Sequence, residues 1–218
     1  MSYIFDGFNW DLSDPTSIPN LLFQHLIITG ISLAIGLLIA VPVGVLAARY
    51  TKIYLPAITL AGILYTLPSL AFMALLIPFT GLNPPTVIIP LVLYTQVVLI
   101  RNIVAAIRAV DPALLEVGRA MGMTERQVLF RVSFPLALPV IVAGLRVAAV
   151  TTIGIATIGP LFGVPDLGYL IFQGFNFRIN VQIEAGVILV SALAVGVDLL
   201  LLALQSFLSR GRQVVAVA

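Results

Sequence analysis

The sequence predicts an all-α membrane protein that crosses the bilayer five times, and three observations support this fold class. Of the 218 residues, 61% are hydrophobic and only 9% are charged, whereas soluble domains contain about 25% charged residues. The uncharged runs are long enough for membrane-spanning helices, and a turn rich in glycine and proline divides the longest run. This composition excludes a soluble globular enzyme, a disordered chain and a nucleic-acid-binding protein with a basic surface.

Charged residues mark where the five spans begin and end. About 20 apolar residues are needed to cross about 30 Å of hydrocarbon, because each helical residue adds about 1.5 Å. The uncharged run before Arg49 accommodates one span. The run between Lys52 and Arg101 accommodates two, and the sequence Thr-Gly-Leu-Asn-Pro-Pro at 80–85 separates them. The predicted spans cover residues 24–48, 55–79, 86–107, 135–159 and 185–208.

The stretch 160–184 lies between the last two spans and is interrupted by several Pro and Gly residues. Because Pro and Gly break long helices, we expect an external loop with a short surface helix there rather than a sixth span. The sequence has no internal repeat, and residues 1–218 are predicted to form a single transmembrane domain.

The basic residues predict the orientation, because cytoplasmic loops of membrane proteins are enriched in Lys and Arg. When the loop at 109–134 is placed in the cytoplasm, nine basic residues fall at or near cytoplasmic ends and only Arg178 lies outside. The N-terminus is then outside and the C-terminus cytoplasmic, in the cell (inner) membrane. His25, at the outer end of the first span, is interpreted as an interfacial residue. The nine cytoplasmic basic residues are Arg49, Lys52, Arg101, Arg108, Arg119, Arg126, Arg131, Arg210 and Arg212.

The loop at 109–134 has the pattern of two short helices joined at a glycine. The dipeptide Asp111-Pro112 is a typical helix start, because Asp caps free N–H groups and Pro loses no hydrogen bond at the first helical position. Gly122 is a typical left-handed helix end, and the segment 124–127 fits a capping box. The apolar stripe on these helices has two interpretations, namely packing on the protein itself or docking of a soluble partner.

The same loop resembles the EAA loop of ABC-importer permeases. That pattern is Glu-Ala-Ala, three residues, Gly, nine residues and Ile-x-Leu-Pro, and its spacing is matched by Glu116, Gly122 and Pro135. The run 99–159 is similar to the osmoprotectant branch of these permeases, whose members import glycine betaine, choline, carnitine and related quaternary amines. One segment departs from the family, which often has Gly-x-Gly-Gly-Leu-Gly after the fourth span. Here residues 163–168 read Gly-Val-Pro-Asp-Leu-Gly.

The resemblance implies five transmembrane helices of the ABC-importer permease type and several partners besides the lipid bilayer. The loop would act as a coupling helix in a groove of a cytoplasmic ABC ATPase dimer, which binds ATP and Mg²⁺. A second permease chain, identical or homologous, would complete the path, and an extracytoplasmic substrate-binding protein would deliver the substrate. The residues that the resemblance assigns to ATPase coupling are Leu115, Glu116, Arg119, Ala120, Met121 and Gly122.

We predict no catalytic residue, no metal site and no cofactor on this chain, which is therefore not expected to be an enzyme. A P-loop needs Gly-Lys-Ser/Thr, whereas the single lysine, Lys52, lies between Thr51 and Ile53. The chain has no Cys and one His, which excludes thiolate sites and histidine clusters. ATP hydrolysis is expected on a separate ATPase subunit.

Two charged residues fall inside predicted spans, where an unpaired ion is costly. Arg146 lies about 11 residues from the cytoplasmic end of the fourth span and Asp198 about 10 from that of the fifth, so their depths agree. Two interpretations stand. The residues form an ion pair between the two spans, or they form a proton or substrate site on the pathway.

Aromatic residues in the second and third spans are the candidates for the translocation pathway. Aromatic faces bind quaternary ammonium ions, and Tyr65, Phe72 and Tyr94 are placed to supply them. Pro68 adds a kink that would lie near the pathway. The alternative is that the rings pack inside the protein and that the kink is an ordinary one.

The leading interpretation is the permease subunit of an ATP-driven importer for a quaternary amine such as glycine betaine, choline or carnitine. One alternative is an ABC permease for another small solute, such as an amino acid. A second alternative is a self-contained secondary transporter coupled through Asp198, but such proteins are commonly built from inverted repeats.

Overall fold

The structure is a computed structural model that describes residues 2–209. These residues form helices and turns, with no strand among them. Arg210 and Arg212, which contributed to the predicted orientation, lie outside the described residues. The α-helices are α1 (Ser2–Phe5), α2 (Ile18–Arg49), α3 (Thr51–Thr66), α4 (Ser69–Thr80), α5 (Pro84–Arg108), α6 (Pro112–Ala120), α7 (Glu125–Val128), α8 (Phe134–Ala156), α9 (Gly168–Phe177) and α10 (Asn180–Ser209).

The helix content agrees with the predicted all-α membrane fold. Within residues 2–209, α2, α5, α10 and the run Glu125–Ala156, which includes α8, are each long and apolar enough to cross a membrane. The bent pair α3 and α4 passes the same length and hydropathy test only when its two helices are taken together, so it makes a fifth span if the pair crosses the membrane as one broken span. The helices α2 and α10 begin earlier than the predicted residues 24 and 185, because a helix continues past the apolar stretch that defines a span.

Helices α2, α5 and α8 form the centre of the molecule. The largest cluster of buried hydrophobic side chains joins them, with Ala40 from α2, Ile103 from α5 and Ala148 from α8. Small residues allow the helices to approach closely: a Cβ added at Gly44 of α2 would lie 2.6 Å from Cγ2 of Ile103. Helix α10 packs on α8 and α9, and the α3–α4 pair packs on α5.

The second predicted span, residues 55–79, is not one kinked helix but two helices whose axes differ by 92°. The chain at Leu67 is extended, with φ −66° and ψ 129°, because the ring of Pro68 disfavours a helical conformation in the residue before it. The hydroxyl of Tyr94 donates a hydrogen bond to the Leu67 carbonyl at 2.9 Å. This bond satisfies a backbone oxygen that the break would otherwise leave unpaired inside the membrane.

The segment between α8 and α10, residues 157–179, is more tightly folded than the expected loop with a surface helix. It contains a 3-10 turn at Gly159–Phe162 and then α9. Leu170 of α9 is fully buried and belongs to a cluster with residues of α2, so α9 packs into the protein. Gly163 has a φ of +78°, and a Cβ there would lie 2.7 Å from the carbonyl oxygen of Leu82, so the turn at 163 requires glycine.

Candidate functional site

Local hydrogen bonds fix both ends of α6, the first helix of the loop at 109–134. Oδ1 of Asp111 accepts a hydrogen bond from the N–H of Ala113 at 2.9 Å, which caps the start of α6. Gly122 has a φ of +81° and follows the end of α6. The N–H of Met123 then donates to the carbonyl of Gly118 at 3.1 Å, as in a Schellman motif. The loop therefore presents α6 in one fixed orientation.

The second half of the loop is fixed in the same way and joins directly to α8. Thr124 and Gln127 form the capping box that the sequence predicted, with each side chain bonding the other residue's backbone N–H. The chain then forms a π-helical segment, Leu129–Ser133, before α8 begins. Pro135 has no N–H to donate to the carbonyl four residues earlier, which explains the wider hydrogen-bonding pattern at this junction.

The inner face of α6 packs on the protein. Gly118 is buried, and an added Cβ there would lie 3.5 Å from Cγ2 of Val128 in α7. Leu115 is half-buried and packs against the central cluster of α2, α5 and α8. Leu115, which the resemblance assigned to ATPase coupling, therefore packs partly against the protein itself.

The outer face of α6 carries three exposed apolar side chains, which we call the α6 stripe: Leu114, Val117 and Met121. Their exposed fractions are 46%, 57% and 71%, and the spacing places them on one side of the helix. Glu116 and Ala120 are also exposed. The inner face of α6 thus fits the interpretation of packing on the protein itself, and the outer face remains uncovered among residues 2–209.

Arg119 and Glu125 form an ion pair that ties α6 to α7. Nε of Arg119 lies 2.8 Å from Oε1 of Glu125. This hydrogen bond and the charge of Arg119 hold the pKa of the Glu125 carboxyl below its usual range, and Glu125 in turn raises the pKa of Arg119. Both side chains are about half exposed, so the pair orients the loop more than it stabilises it.

Arg146 of α8 and Asp198 of α10 lie together, as the matched depths of the two residues suggested. Nη2 of Arg146 is 2.8 Å from Oδ2 of Asp198, and Nη1 is 3.1 Å from Oε1 of Gln205 on α10. The structure thus places the two intramembrane charges in direct contact between helices, which is the first of the two interpretations of the sequence.

The aromatic pathway candidates form one cluster beside the break in the second span. The rings of Tyr65 and Phe72 approach the ring of Tyr94 edge-on, with centroids 5.8 Å and 6.0 Å away. Tyr94 is buried, whereas nearly half of Tyr65 is exposed. Pro68 lies at the break itself. Tyr94 also lines a small crevice between α5 and α8, together with Thr151 of α8.

His25 and Asp166 form a buried pair that the sequence interpretation missed. His25 was interpreted as an interfacial residue, but its side chain and that of Asp166 are both fully buried, with Nδ1 3.4 Å from Oδ2. No local pattern links residues so far apart. The available signal was the departure at 163–168, where an acidic residue stands in a position that the family often fills with glycine.

A family comparison decides what kind of protein this is. Residues 40–214 match the family described as "Binding-protein-dependent transport system inner membrane component". The chain belongs to this family. The matched range contains the loop at 109–134, the intramembrane ion pair and the aromatic cluster, and it begins after His25. The protein is therefore a multi-pass membrane component of a binding-protein-dependent importer.

Curated members of the family are similar to this permease over most of its length. The "Carnitine transport permease protein OpuCD" of Listeria monocytogenes is 40% identical over 82% of this chain and 81% of its own. The "Choline transport system permease protein OpuBD" of Bacillus subtilis is 39% identical over 85% and 83%. The "Osmoprotectant import permease protein OsmW" of Salmonella typhimurium is 34% identical over 94% and 97%. These relatives are transport permease subunits rather than enzymes.

Solved transporter structures share the fold of this permease. A chain of the inward-facing MetNI methionine ABC transporter superposes with a TM-score of 0.76 at 22% identity, covering 88% of this chain and 95% of that one. A chain of an amino acid ABC transporter crystallised with histidines gives a TM-score of 0.66, also at 22% identity, covering 88% and 92%. Among residues 2–209, no cluster of three acidic or histidine side chains is arranged to hold a metal ion.

Proposed function

We propose that this permease imports a quaternary-amine osmoprotectant such as glycine betaine, choline or carnitine. The observation that supports the proposal most strongly is the similarity to permeases named for carnitine, choline and osmoprotectant transport, at 34–40% identity over more than four fifths of the chain.

ATP hydrolysis drives this transport from a separate ABC ATPase, which docks on the α6 stripe. An uncovered apolar patch on a capped, rigid helix has the properties of a protein interface, because burying apolar side chains supplies most of the binding energy. Glu116, Ala120 and Gly122 border the stripe, and Arg119 is held in place by Glu125. Closure of two ATPases around ATP and Mg²⁺ then moves the two permease chains as rigid bodies.

The loop at 109–134 and the C-terminus face the cytoplasm in this proposal, and the N-terminus and residues 157–179 face outward, where the substrate-binding protein docks. The placement of Lys and Arg supports this orientation. Five spans leave one side of the pathway open, so two permease chains, identical or homologous, enclose it around a twofold or pseudo-twofold axis.

The substrate path runs beside the aromatic cluster of Tyr65, Phe72 and Tyr94. A quaternary ammonium ion has no hydrogen to donate, so the π faces of aromatic rings and methyl contacts are the groups that recognise it. The half-exposed ring of Tyr65 offers such a face. The buried ring of Tyr94 fixes the neighbouring break through its hydrogen bond to Leu67.

A second candidate function is import of an amino acid, because the solved transporters that share this fold are named for methionine and for amino acids. A sequence identity of 22% supports a shared fold but not a shared substrate, so this candidate is the weaker one. A self-contained secondary transporter is disfavoured by the Arg146–Asp198 pair, because a carboxylate held by two hydrogen bonds from Arg is poorly suited to exchange protons.

Reconstituted uptake tests these alternatives. The permease is purified with the ATPase and binding protein that accompany it, placed in vesicles loaded with ATP, and supplied with radiolabelled choline, glycine betaine, carnitine, methionine or histidine. We expect uptake of at least one quaternary amine, lost when ATP is replaced by a non-hydrolysable analogue. Uptake of an amino acid alone would favour the second candidate, and uptake by the lone permease without ATP would reject an ATP-driven importer.

A further inference from the structure

His25 of α2 joins two segments that are distant in sequence. Its Nε2 lies 3.1 Å from the carbonyl oxygen of Ile153 near the end of α8. Its Nδ1 lies 3.4 Å from Oδ2 of Asp166, and both side chains are fully buried. The other carboxylate oxygen of Asp166 accepts a hydrogen bond from the N–H of Gly168 at 2.7 Å. The imidazole thus bridges α2, α8 and the start of α9.

The partners of the imidazole fix how many protons the site holds. A carbonyl oxygen only accepts hydrogen bonds, so Nε2 of His25 must carry a hydrogen toward Ile153. With one hydrogen on Nε2, a neutral imidazole presents a lone pair at Nδ1, and an ionised Asp166 presents another at Oδ2. Neither of these atoms has a hydrogen-bond partner elsewhere in residues 2–209. Two facing lone pairs in a buried site are repulsive, and one proton between them removes the repulsion.

We infer that His25 and Asp166 form a binding site for a single proton, and that this proton holds residues 157–168 against α2. The bound proton gives either an imidazolium with a carboxylate or an imidazole with a carboxylic acid, and both forms make the Nδ1–Oδ2 contact attractive. Loss of the proton leaves two buried acceptors without a donor, which favours release of the segment into contact with water.

Only His25 and Asp166 share this proton, because no other ionisable side chain among residues 2–209 contacts either of them. Burial raises the pKa of the Asp166 carboxyl, and the interactions with His25 and with the N–H of Gly168 oppose the rise. A raised pKa means that the folded state binds the proton more tightly than the unfolded state, so the contribution to stability is lost as pH rises. Among residues 2–209, no ion pair or side-chain hydrogen bond joins His25 or Asp166 to another ionisable side chain of the surrounding helices. Those other ionisable residues are Arg49, Tyr94, Arg101, Arg108, Arg146, Tyr169, Arg178, Glu184 and Asp198.

The release of residues 157–168 from α2 can be measured by how fast an introduced cysteine reacts with a thiol reagent. The natural chain contains no cysteine, so only the introduced thiol reacts. Val164 is 3% exposed beside Asp166, and Leu161 in the same segment is 47% exposed. Val164→Cys and Leu161→Cys are made separately in the full-length permease and labelled with a maleimide from about pH 5 to about pH 10, a range that spans His and perturbed carboxyl titrations. The ratio of the two labelling rates cancels the pH dependence of the thiol itself.

The proton site predicts that this ratio rises with pH by about tenfold per pH unit over the range in which one proton is lost. Asp166→Asn is the matched variant, because its amide donates to Nδ1 of His25 without any extra proton while its oxygen still accepts from Gly168. In that variant we expect the ratio to stay low at every pH. Asp166→Ala removes the bridge, so its ratio should be high at every pH.

Two results would contradict the proposed proton site. One is a labelling-rate ratio that does not change with pH in the otherwise natural chain, and the other is the same rise of this ratio with and without Asp166→Asn. Should Val164→Cys fail to fold, the thermal midpoint of the cysteine-free permease provides the second measurement. The midpoint should fall as pH rises in the natural chain and should fall less in Asp166→Asn. Equal pH dependence of the two midpoints would also overturn the proposal. Neither measurement depends on which solute the permease transports.

Discussion

The guanidinium of Arg146 on α8 binds both carboxylate oxygens of Asp198 on α10, with Nε 2.8 Å from Oδ1 and Nη2 2.8 Å from Oδ2. This bidentate arrangement is the most favourable geometry between Arg and a carboxylate. The pair neutralises two charges that would each be costly inside a membrane, and it joins two neighbouring spans. Gln205 adds a third hydrogen bond to the same guanidinium.

Breaking this pair from one side should destabilise the permease more than removing it completely. Arg146→Met or Asp198→Leu alone leaves an unpaired charge in the span, whereas the double variant leaves none. We expect the thermal midpoint of the double variant to exceed that of either single variant. Gln205→Leu, which removes only one neutral hydrogen bond, is the control and should have the smallest effect. Additive losses in the double variant would show that the two residues are not coupled.

Gly122 should be required for its backbone conformation rather than for space. Its φ is +81°, and nothing lies within 4 Å of an added Cβ. A residue with a Cβ pays about 1–2 kcal/mol in this conformation, and a β-branched side chain is worst. We expect Gly122→Val to reduce substrate-stimulated ATPase activity and uptake, and Gly122→Asn to retain both, because Asn tolerates the left-handed region. Wild-type uptake by Gly122→Val would contradict this role.

Met121, the most exposed residue of the α6 stripe, should contribute to ATPase binding without contributing to folding. Met121→Gln removes an apolar contact at an interface, and we expect about tenfold weaker binding of the ATPase, or about 1.4 kcal/mol. The thermal midpoint of the permease should not change. Leu161→Gln removes an exposed apolar side chain at the other end of α8 and should leave ATPase binding intact. Equal effects of the two substitutions would argue against docking at α6.

Gly44 should be required for the close packing of α2 on α5. A Cβ at Gly44 would lie 2.6 Å from Ile103, whereas nothing lies within 4 Å of a Cβ at Gly30 on the same helix. Overpacking costs about 1–3 kcal/mol, which exceeds the gain of about 1 kcal/mol from helix propensity. We expect Gly44→Ala to lower the thermal midpoint and Gly30→Ala to preserve or raise it. A lower midpoint for Gly30→Ala alone would be the opposite of this expectation.

The Arg119–Glu125 pair should give the loop a measurable response to acid. Because the pKa of Glu125 is lowered, the interaction is present at neutral pH and is lost as pH falls through the folded-state value, below the ordinary range of Glu at about 4.3. Titration of ¹³C-labelled carboxyl groups by NMR measures this value. Arg119→Gln should raise it toward the ordinary range. An unchanged titration of Glu125 in that variant would mean that the ion pair does not form in solution.

The parts of the candidate site that follow from local sequence were predicted well. The caps at Asp111 and Thr124 and the left-handed Gly122 depend on neighbouring residues, so the pattern alone located them. The sequence did not predict which side of α6 packs on the protein, because Leu114 and Leu115 are adjacent and equally apolar. Only the packing of α6 against α7 and the central helices turns one toward the protein and leaves the other exposed.

The sequence by itself determined the membrane class, the spans and the folded loop, because hydropathy and helix capping act over short distances along the chain. It also indicated the Arg146–Asp198 pair, since an ion inside a membrane needs a partner at its own depth. The tertiary structure decided the 92° break at Pro68 and the burial of His25 against Asp166. Both depend on contacts between separate helices, and the low polarity of the interior gives those contacts their strength.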